Sequence, residues 1–185
     1  MYKSYTYIWI YKMVEENKKK HLPYCGVGPF YNYGVLGVTI IAIIFRNSSF
    51  LEGGNIKVLR IPFIIIGILL IIFSCYIGVQ AIFISRLFKN IEENKLVTTG
   101  IFSWVRNPVY SGTVILCVGI LFLAGNVYFL ILPFIFWAAL TILMINTEEK
   151  WLRELYGQEY DDYCKKVNRC IPIPPKLNFF KNKNE

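Results

Sequence analysis

The sequence predicts an all-α, polytopic membrane protein with about four transmembrane helices and a C-terminal amphipathic cytoplasmic helix. Three observations carry this expectation. Hydrophobic residues make up 55% and charged residues only 17% of the 185 positions, a balance too apolar for an ordinary soluble domain of this length. The apolar residues gather in long blocks. The 20 Lys and Arg lie between and after those blocks, as flanks of membrane spans do, rather than along one basic face suited to nucleic acid. The lipid bilayer is therefore an expected partner and nucleic acid is not.

Residues 1–25 are aromatic at the start, only moderately apolar, and lack a small-residue cleavage site; they read as a cytoplasmic interfacial segment rather than a removable signal peptide. The first block runs from Gly26 to Phe45. The second, Ile61 to Ser85, "IPFIIIGILLIIFSCYIGVQAIFIS", carries no charge and as a helix would extend about 37 Å, enough to cross a ~30 Å hydrocarbon core with tilt. Val109 to Gly125 and Val127 to Ile145 follow as a pair, so close in sequence that a tight antiparallel hairpin is expected. No G-x-x-x-G occurs, which predicts that this packing device is absent.

After the hairpin comes "NTEEKWLRELYGQEYDDYCKKVNRCIPIPP". Trp151, Leu152, Leu155 and Tyr156 sit at helical spacing, and Tyr160, Tyr163 and Val167 continue the stripe. An amphipathic helix lying on the membrane surface accounts for the pattern, interrupted at Gly157 and ended by Pro172, Pro174 and Pro175. Residues 173–185 read as a mobile tail. The chain thus divides into 1–25, an N-terminal transmembrane region at 26–93, a region at 94–172 that holds the hairpin, and the tail.

Under a four-span arrangement 17 of the 20 Lys and Arg fall on one side. The positive-inside rule then puts both termini, loop 86–108 and residues 146–185 in the cytoplasm, and loop 46–60 outside. The five cysteines include no C-x-x-C, so neither a disulfide framework nor a zinc site is indicated and no metal is expected. His21, in "KKKHLPY", reads as a surface residue.

Polar chemistry concentrates in "GIFSWVRNPVYSG", residues 100–112. Asn107 and Pro108 form a helix-start signal, and two readings follow. In one, Asn107 only caps the helix and Arg106 is a positive flank. In the other, the free N–H groups of the helix start beside Arg106 make an anion site at the membrane surface. Glu148 and Glu149 return to the same rim, either as a solvated helix start favoured by the helix dipole or as the acidic half of a site. Together the two halves suit a zwitterionic ligand with an extra cationic centre.

The ordered combination of R-x-P-x-Y-x-G, an acidic pair, G-x-x-Y-x-x-Y and R-x-x-P over about residues 94–172 resembles the membrane methyltransferase family that includes isoprenylcysteine carboxyl methyltransferase and the phospholipid N-methyltransferases. The resemblance implies S-adenosylmethionine as methyl donor, bound at the cytoplasmic ends of the last helices. It implies contacts at Leu96, Val97, Phe102, Asn107, Pro108, Val109, Tyr110 and Glu148, to which the reading of the helix start and the acidic pair adds Arg106 and Glu149, and a lipid-like or amphipathic acceptor offering a carboxylate, thiol or amine. It singles out no catalytic residue.

Two departures from the family pattern bear on the acceptor. Asn107 replaces a histidine, which is tolerable where an anionic nucleophile needs only in-line approach. Met144 stands where the prenylcysteine branch places an arginine for the substrate carboxylate. "GVGPF" at 26–30 lacks the third glycine and the strand context of a dinucleotide loop. The rival expectations are a sterol-reductase-like enzyme using NADPH and a non-catalytic small transporter or scaffold.

Overall fold

A computed structural model describes residues 27–175. The interfacial reading of 1–25, the role of His21, and the tail from 176 onward lie outside the described residues. Helix α1 spans Gly28–Phe45, with Pro29 in its first turn, where a missing N–H leaves no bond unmade. Helix α2, Arg60–Val79, widens into a single π turn at Gln80–Ile84. Arg86 then takes a left-handed conformation (φ 48°) and starts the short α3, Leu87–Glu92.

A 3₁₀ turn at Gly100–Ser103 precedes α4, Pro108–Ala124. Gly125 (φ 76°) and Asn126 reverse the chain, and a 3₁₀ turn at Val127–Ile131 leads into α5, Leu132–Asn146. The expected hairpin is therefore present. Two further helices follow, α6 at Glu148–Tyr156 and α7 at Gln158–Lys166. No strand occurs among the described residues, only an isolated parallel bridge between Val105 and Asn168. The all-α expectation holds.

Among the described residues three helical stretches are long and apolar enough to cross a membrane: Gly28–Phe45, Lys57–Ile84 and Val127–Tyr156. Helix α4 has only 17 residues, about 25 Å at 1.5 Å per residue, and falls short of a ~30 Å core. It packs on both α2 and α1 and buries Ser111, Gly112, Cys117, Gly119 and Leu121. Large apolar side chains point outward instead, among them Ile40 and Ile44 of α1, Ile65, Leu69 and Ile72 of α2, and Ile135 and Ile142 of α5. Such a surface is stable only with hydrocarbon as its solvent.

The α2–α4 contact uses another device. Close approach is built without G-x-x-x-G, from small residues seven apart on each helix. A Cβ on Gly67 would lie 2.8 Å from the Gly119 carbonyl oxygen, and one on Gly119 2.9 Å from that of Gly67. Two turns away, Ser74 Oγ donates to the Gly112 carbonyl at 2.8 Å. Bare backbone at one level and a hydroxyl at the next let the antiparallel helices touch.

The C-terminal stripe also differs from expectation. Gly157 (φ 55°) does break the helix, but Tyr160, Tyr163 and Val167 form a buried cluster with Leu96, Leu152 and Tyr156. Their apolar face is turned to protein, not lipid. Helix α7 stops at Lys166, ahead of Pro172, because Val167 turns extended and Asn168 pairs with the loop before α4.

Candidate functional site

That pairing closes one end of the bundle. The carbonyl of Asn168 accepts from the Arg106 N–H at 2.8 Å, and the Ile173 N–H reaches the Trp104 carbonyl at 3.0 Å. Tyr163 donates its hydroxyl to the Phe102 carbonyl at 2.6 Å, and Asn107 Nδ2 donates to the Arg169 carbonyl at 3.0 Å. Asn107 thus occupies the N-cap position without a side-chain cap bond; its amide ties the loop to the C-terminal segment instead. Its carbonyl still accepts the Ser111 N–H at 3.0 Å.

Beneath this strap Glu149 is buried, with a side chain 1% exposed, and it binds Arg106 Nη2 at 3.1 Å and Arg169 Nε at 2.5 Å. Arg169 Nη2 bonds the second carboxylate oxygen at 3.1 Å, and Arg153 lies 3.9 Å away. Arg106 Nη1 also donates to Cys164 Sγ, and its guanidinium carbon sits 6.0 Å from the Tyr160 ring centre, within cation–π range. A desolvated carboxylate shared by two arginines is expensive to break. Glu149 is a pin between three segments. Burial raises the Tyr160 and Tyr163 phenols well above the ordinary tyrosine range, against the opposing pull of Arg106, so both stay protonated and able to donate.

Next to the pin lies a cavity of about 290 Å³. Its lining includes Leu96, Val97, Phe102, Arg106, Asn107, Pro108, Val109, Tyr110 and Glu148, all singled out in the sequence. Glu149 does not line it. Glu148 points the other way from its neighbour and accepts the Tyr110 hydroxyl at 2.5 Å. Gly28 makes room for that pair: a Cβ there would stand 2.1 Å from the Tyr110 hydroxyl.

Three lining side chains carry a buried polar atom with no hydrogen-bond partner: Asn32 Oδ1, Arg106 Nε and the Tyr160 hydroxyl. Orphaned groups of this kind destabilise a folded protein unless a ligand or water answers them. Arg106 was expected either as a positive flank of the membrane span or as the arginine beside an anion-binding helix start. Most of its donor capacity is instead taken by Glu149 and Cys164, and Nε is what remains. Among the described residues no group of three or more His, Cys, Asp and Glu is placed to hold a metal ion.

The profile of the phospholipid methyltransferase family matches residues 57–159, more than half of the chain. The chain belongs to this family. The match takes in α2, ahead of the motifs that begin near residue 94. Among curated relatives, the protein-S-isoprenylcysteine O-methyltransferase of Schizosaccharomyces pombe is 38% identical over 88 residues, 47% of this chain and 37% of that protein. The Saccharomyces cerevisiae protein of the same name is 35% identical over 86 residues, 46% of this chain and 36% of that protein. A probable enzyme of this name from Oryza sativa subsp. indica is 31% identical over 83 residues, 44% of this chain and 43% of that protein. The similarity spans less than half the length of each of these relatives. No solved structure matches the chain. With three helices of membrane-crossing length, this member of the family is an integral membrane protein.

Sequence reasoning missed three parts of the cavity wall, one of them Ile82, Leu87, Phe88 and Ile91 from the end of α2 and from α3. Gly28, Pro29 and Asn32 come from α1, which no motif connects with the rest. Trp151, Tyr156, Tyr160 and Tyr163 belong to the aromatic stripe. The stripe itself was visible; its partner was not.

Proposed function

We propose that the protein is a membrane-embedded methyltransferase that uses S-adenosylmethionine to methylate a lipid-like or amphipathic acceptor on the cytoplasmic face. The observation that carries this reading is the convergence of loop 94–107, the start of α4 and Glu148 on one cavity with unanswered polar atoms. The residues present fit the donor. Val109 and Tyr110 stand at a helix start, where free N–H groups suit a carboxylate. Glu148 can accept from an ammonium or from ribose hydroxyls. The Arg106 Nε and the Tyr160 hydroxyl are available to donate, and Tyr110 offers an aromatic ring to a cation.

When bound, the cofactor supplies an electrophilic methyl group on a sulfonium. The chain's own part is to hold and orient it and to keep the cavity dry. Leu96, Val97, Phe102 and Leu152 provide apolar wall. In-line approach in such a site lowers the barrier by orientation alone. Residues 94–172 would then form the methyltransferase unit, with the helices of 26–93 as its membrane support. The cytoplasmic placement rests on the distribution of Lys and Arg.

Ligand-dependent melting in detergent tests the reading. S-adenosylhomocysteine is expected to raise the melting temperature, and NADPH is not. A dinucleotide carries several phosphates, whereas among the described residues the lining cations are Arg106, engaged by Glu149 at 3.1 Å, and Lys95, engaged by Glu93 at 2.6 Å. Stabilisation by NADPH alone would overturn the proposal. Labelled product from radiolabelled S-adenosylmethionine and fractionated lipids would then name the acceptor.

A further inference from the structure

We propose that loop 46–60 is a lipid-binding surface: its apolar side chains enter the membrane at the end of the bundle opposite the cavity, and its cations hold the phosphates of the lipid headgroups there. This surface is separate from the cavity and from the reaction assigned to it.

The loop is fixed in place although its apolar residues are bare. Asn126, 1% exposed, donates from Nδ2 to the Leu51 carbonyl at 2.8 Å and accepts the Tyr128 N–H on Oδ1 at 3.0 Å. Gly54 permits this approach, since a Cβ there would stand 2.0 Å from Asn126 Oδ1. Leu51 turns inward and packs on the cluster that contains Leu121 and Phe129. Its neighbour Phe50 is 89% exposed and Val58 84%, with Ile56 exposed between them. Facing water, such a surface would be costly.

Depth says what covers it. The 17 residues of α4 extend about 25 Å, so ~5 Å of a ~30 Å hydrocarbon core is left to whatever caps the end of that helix. The cap is this loop. Ser49–Gly54 packs against Val127–Ile131, which opens the crossing stretch Val127–Tyr156, and Lys57–Leu59 opens the stretch Lys57–Ile84. Loop and crossing segments thus share one level. Phe50, Ile56 and Val58 also continue the exposed apolar surface of Ile44 and Phe45 before them and Ile61 after them.

Charge agrees with depth. Loop 46–60 carries Arg46, Lys57 and Arg60 against a single acid, Glu52, and none of these cations has an ion-pair partner among the described residues. Long cationic side chains beside apolar ones reach from the edge of the hydrocarbon to the headgroups and are attracted by anionic lipid. Gly28 adjoins Tyr110, and Ile173 bonds Trp104, so both ends of the described chain lie at the cavity, away from the loop.

Photo-crosslinking tests the surface on the full-length protein in vesicles of equal parts phosphatidylcholine and phosphatidylglycerol. Phe50 or Val58 is replaced by p-benzoylphenylalanine, with the same replacement at Ile65, on the lipid-facing side of α2, and at Glu52 as controls. All four positions are exposed, so the fold is expected to survive, which thermal denaturation verifies. Lipid adducts, identified by mass spectrometry, are expected at Phe50 and Val58 in a yield similar to that at Ile65 and about fivefold above that at Glu52. Replacing Arg46, Lys57 and Arg60 together by glutamine is expected to lower the share of phosphatidylglycerol in the adducts at Phe50 about threefold. No lipid adduct at Phe50 and Val58 where Ile65 gives one, a yield no higher than at Glu52, or adducts to a second protein chain in place of lipid would each overturn the proposal. An unchanged phosphatidylglycerol share in the triple variant would overturn the part assigned to the cations.

Discussion

Replacing Glu148 and replacing Glu149 by glutamine test different things, because the two carboxylates serve different structures. Glu148 faces the cavity and holds only the Tyr110 hydroxyl among side chains. Glu148→Gln is expected to lower S-adenosylhomocysteine affinity about ten- to a hundredfold while barely moving the melting temperature, since a charge-assisted contact to ligand is lost and no buried charge is stranded. Calorimetric titration of the folded variant decides it, and unchanged affinity would remove Glu148 from the site. Glu149→Gln strands the buried Arg106, and takes the counter-charge from the partly exposed Arg169, and is expected to cost about 3–5 kcal/mol of stability, visible in thermal denaturation before any ligand is added. Gly28→Ala should act as a milder form of the first change. Its new methyl group occupies the place of the Tyr110 hydroxyl, so ligand affinity should fall although no polar group has been removed.

Among the elements, the apolar blocks were legible because lipid demands long uninterrupted runs, the start of α4 followed from Asn107 and Pro108, and the hairpin turn from Gly125 and Asn126. The α2–α4 crossing was not legible. Gly67 with Ser74, and Gly112 with Gly119, are unremarkable pairs until it is known which helices touch. Gly119→Val is expected to destabilise the fold by about 1–3 kcal/mol through overpacking, or more, since the obstacle is the Gly67 carbonyl and not a movable side chain. Thermal denaturation in detergent checks this against Gly37→Val, where open space surrounds the position. The aromatic stripe of α7 was read at the right spacing and given the wrong partner, because periodicity reports that a face is apolar and not what covers it. The same helix carries a pH signature. Burial raises the Tyr163 phenol above its ordinary value of 10.0, so the folded state holds that proton more tightly than the unfolded chain. The associated stability is complete below pH 10 and is lost as the pH rises above it. Tyr163→Phe should flatten that alkaline fall while lowering stability at neutral pH through loss of the bond to Phe102.

At the level of the whole molecule, the structure gathers loop 94–107 and the segment after α5 at one end of the bundle, as the site requires. Single-cysteine labelling is expected to find Lys95 and Lys150 on the same side of the membrane, and Asn55 on the opposite one. Opposite sidedness for Lys95 and Lys150 would be incompatible with one cavity. The sequence supplied the wall nearest the motifs and left out the α1 wall, since contact between residues 28–32 and residue 110 is a property of helix packing that no local pattern records.

The strap over the cavity also fixes an order in time. Residues 160–173 follow α5 in the chain and are synthesised after every membrane-crossing stretch described here. The walls supplied by α1, α2, loop 94–107 and α4 can assemble while the nascent protein is still being inserted, but the wall of Tyr160 and Tyr163 and the bonds to Phe102, Trp104 and Arg106 wait for the strap to emerge. A ribosome stalled just beyond α5 would therefore display an inserted bundle with an open, wet site, and ligand binding would begin only with the release of the final segment.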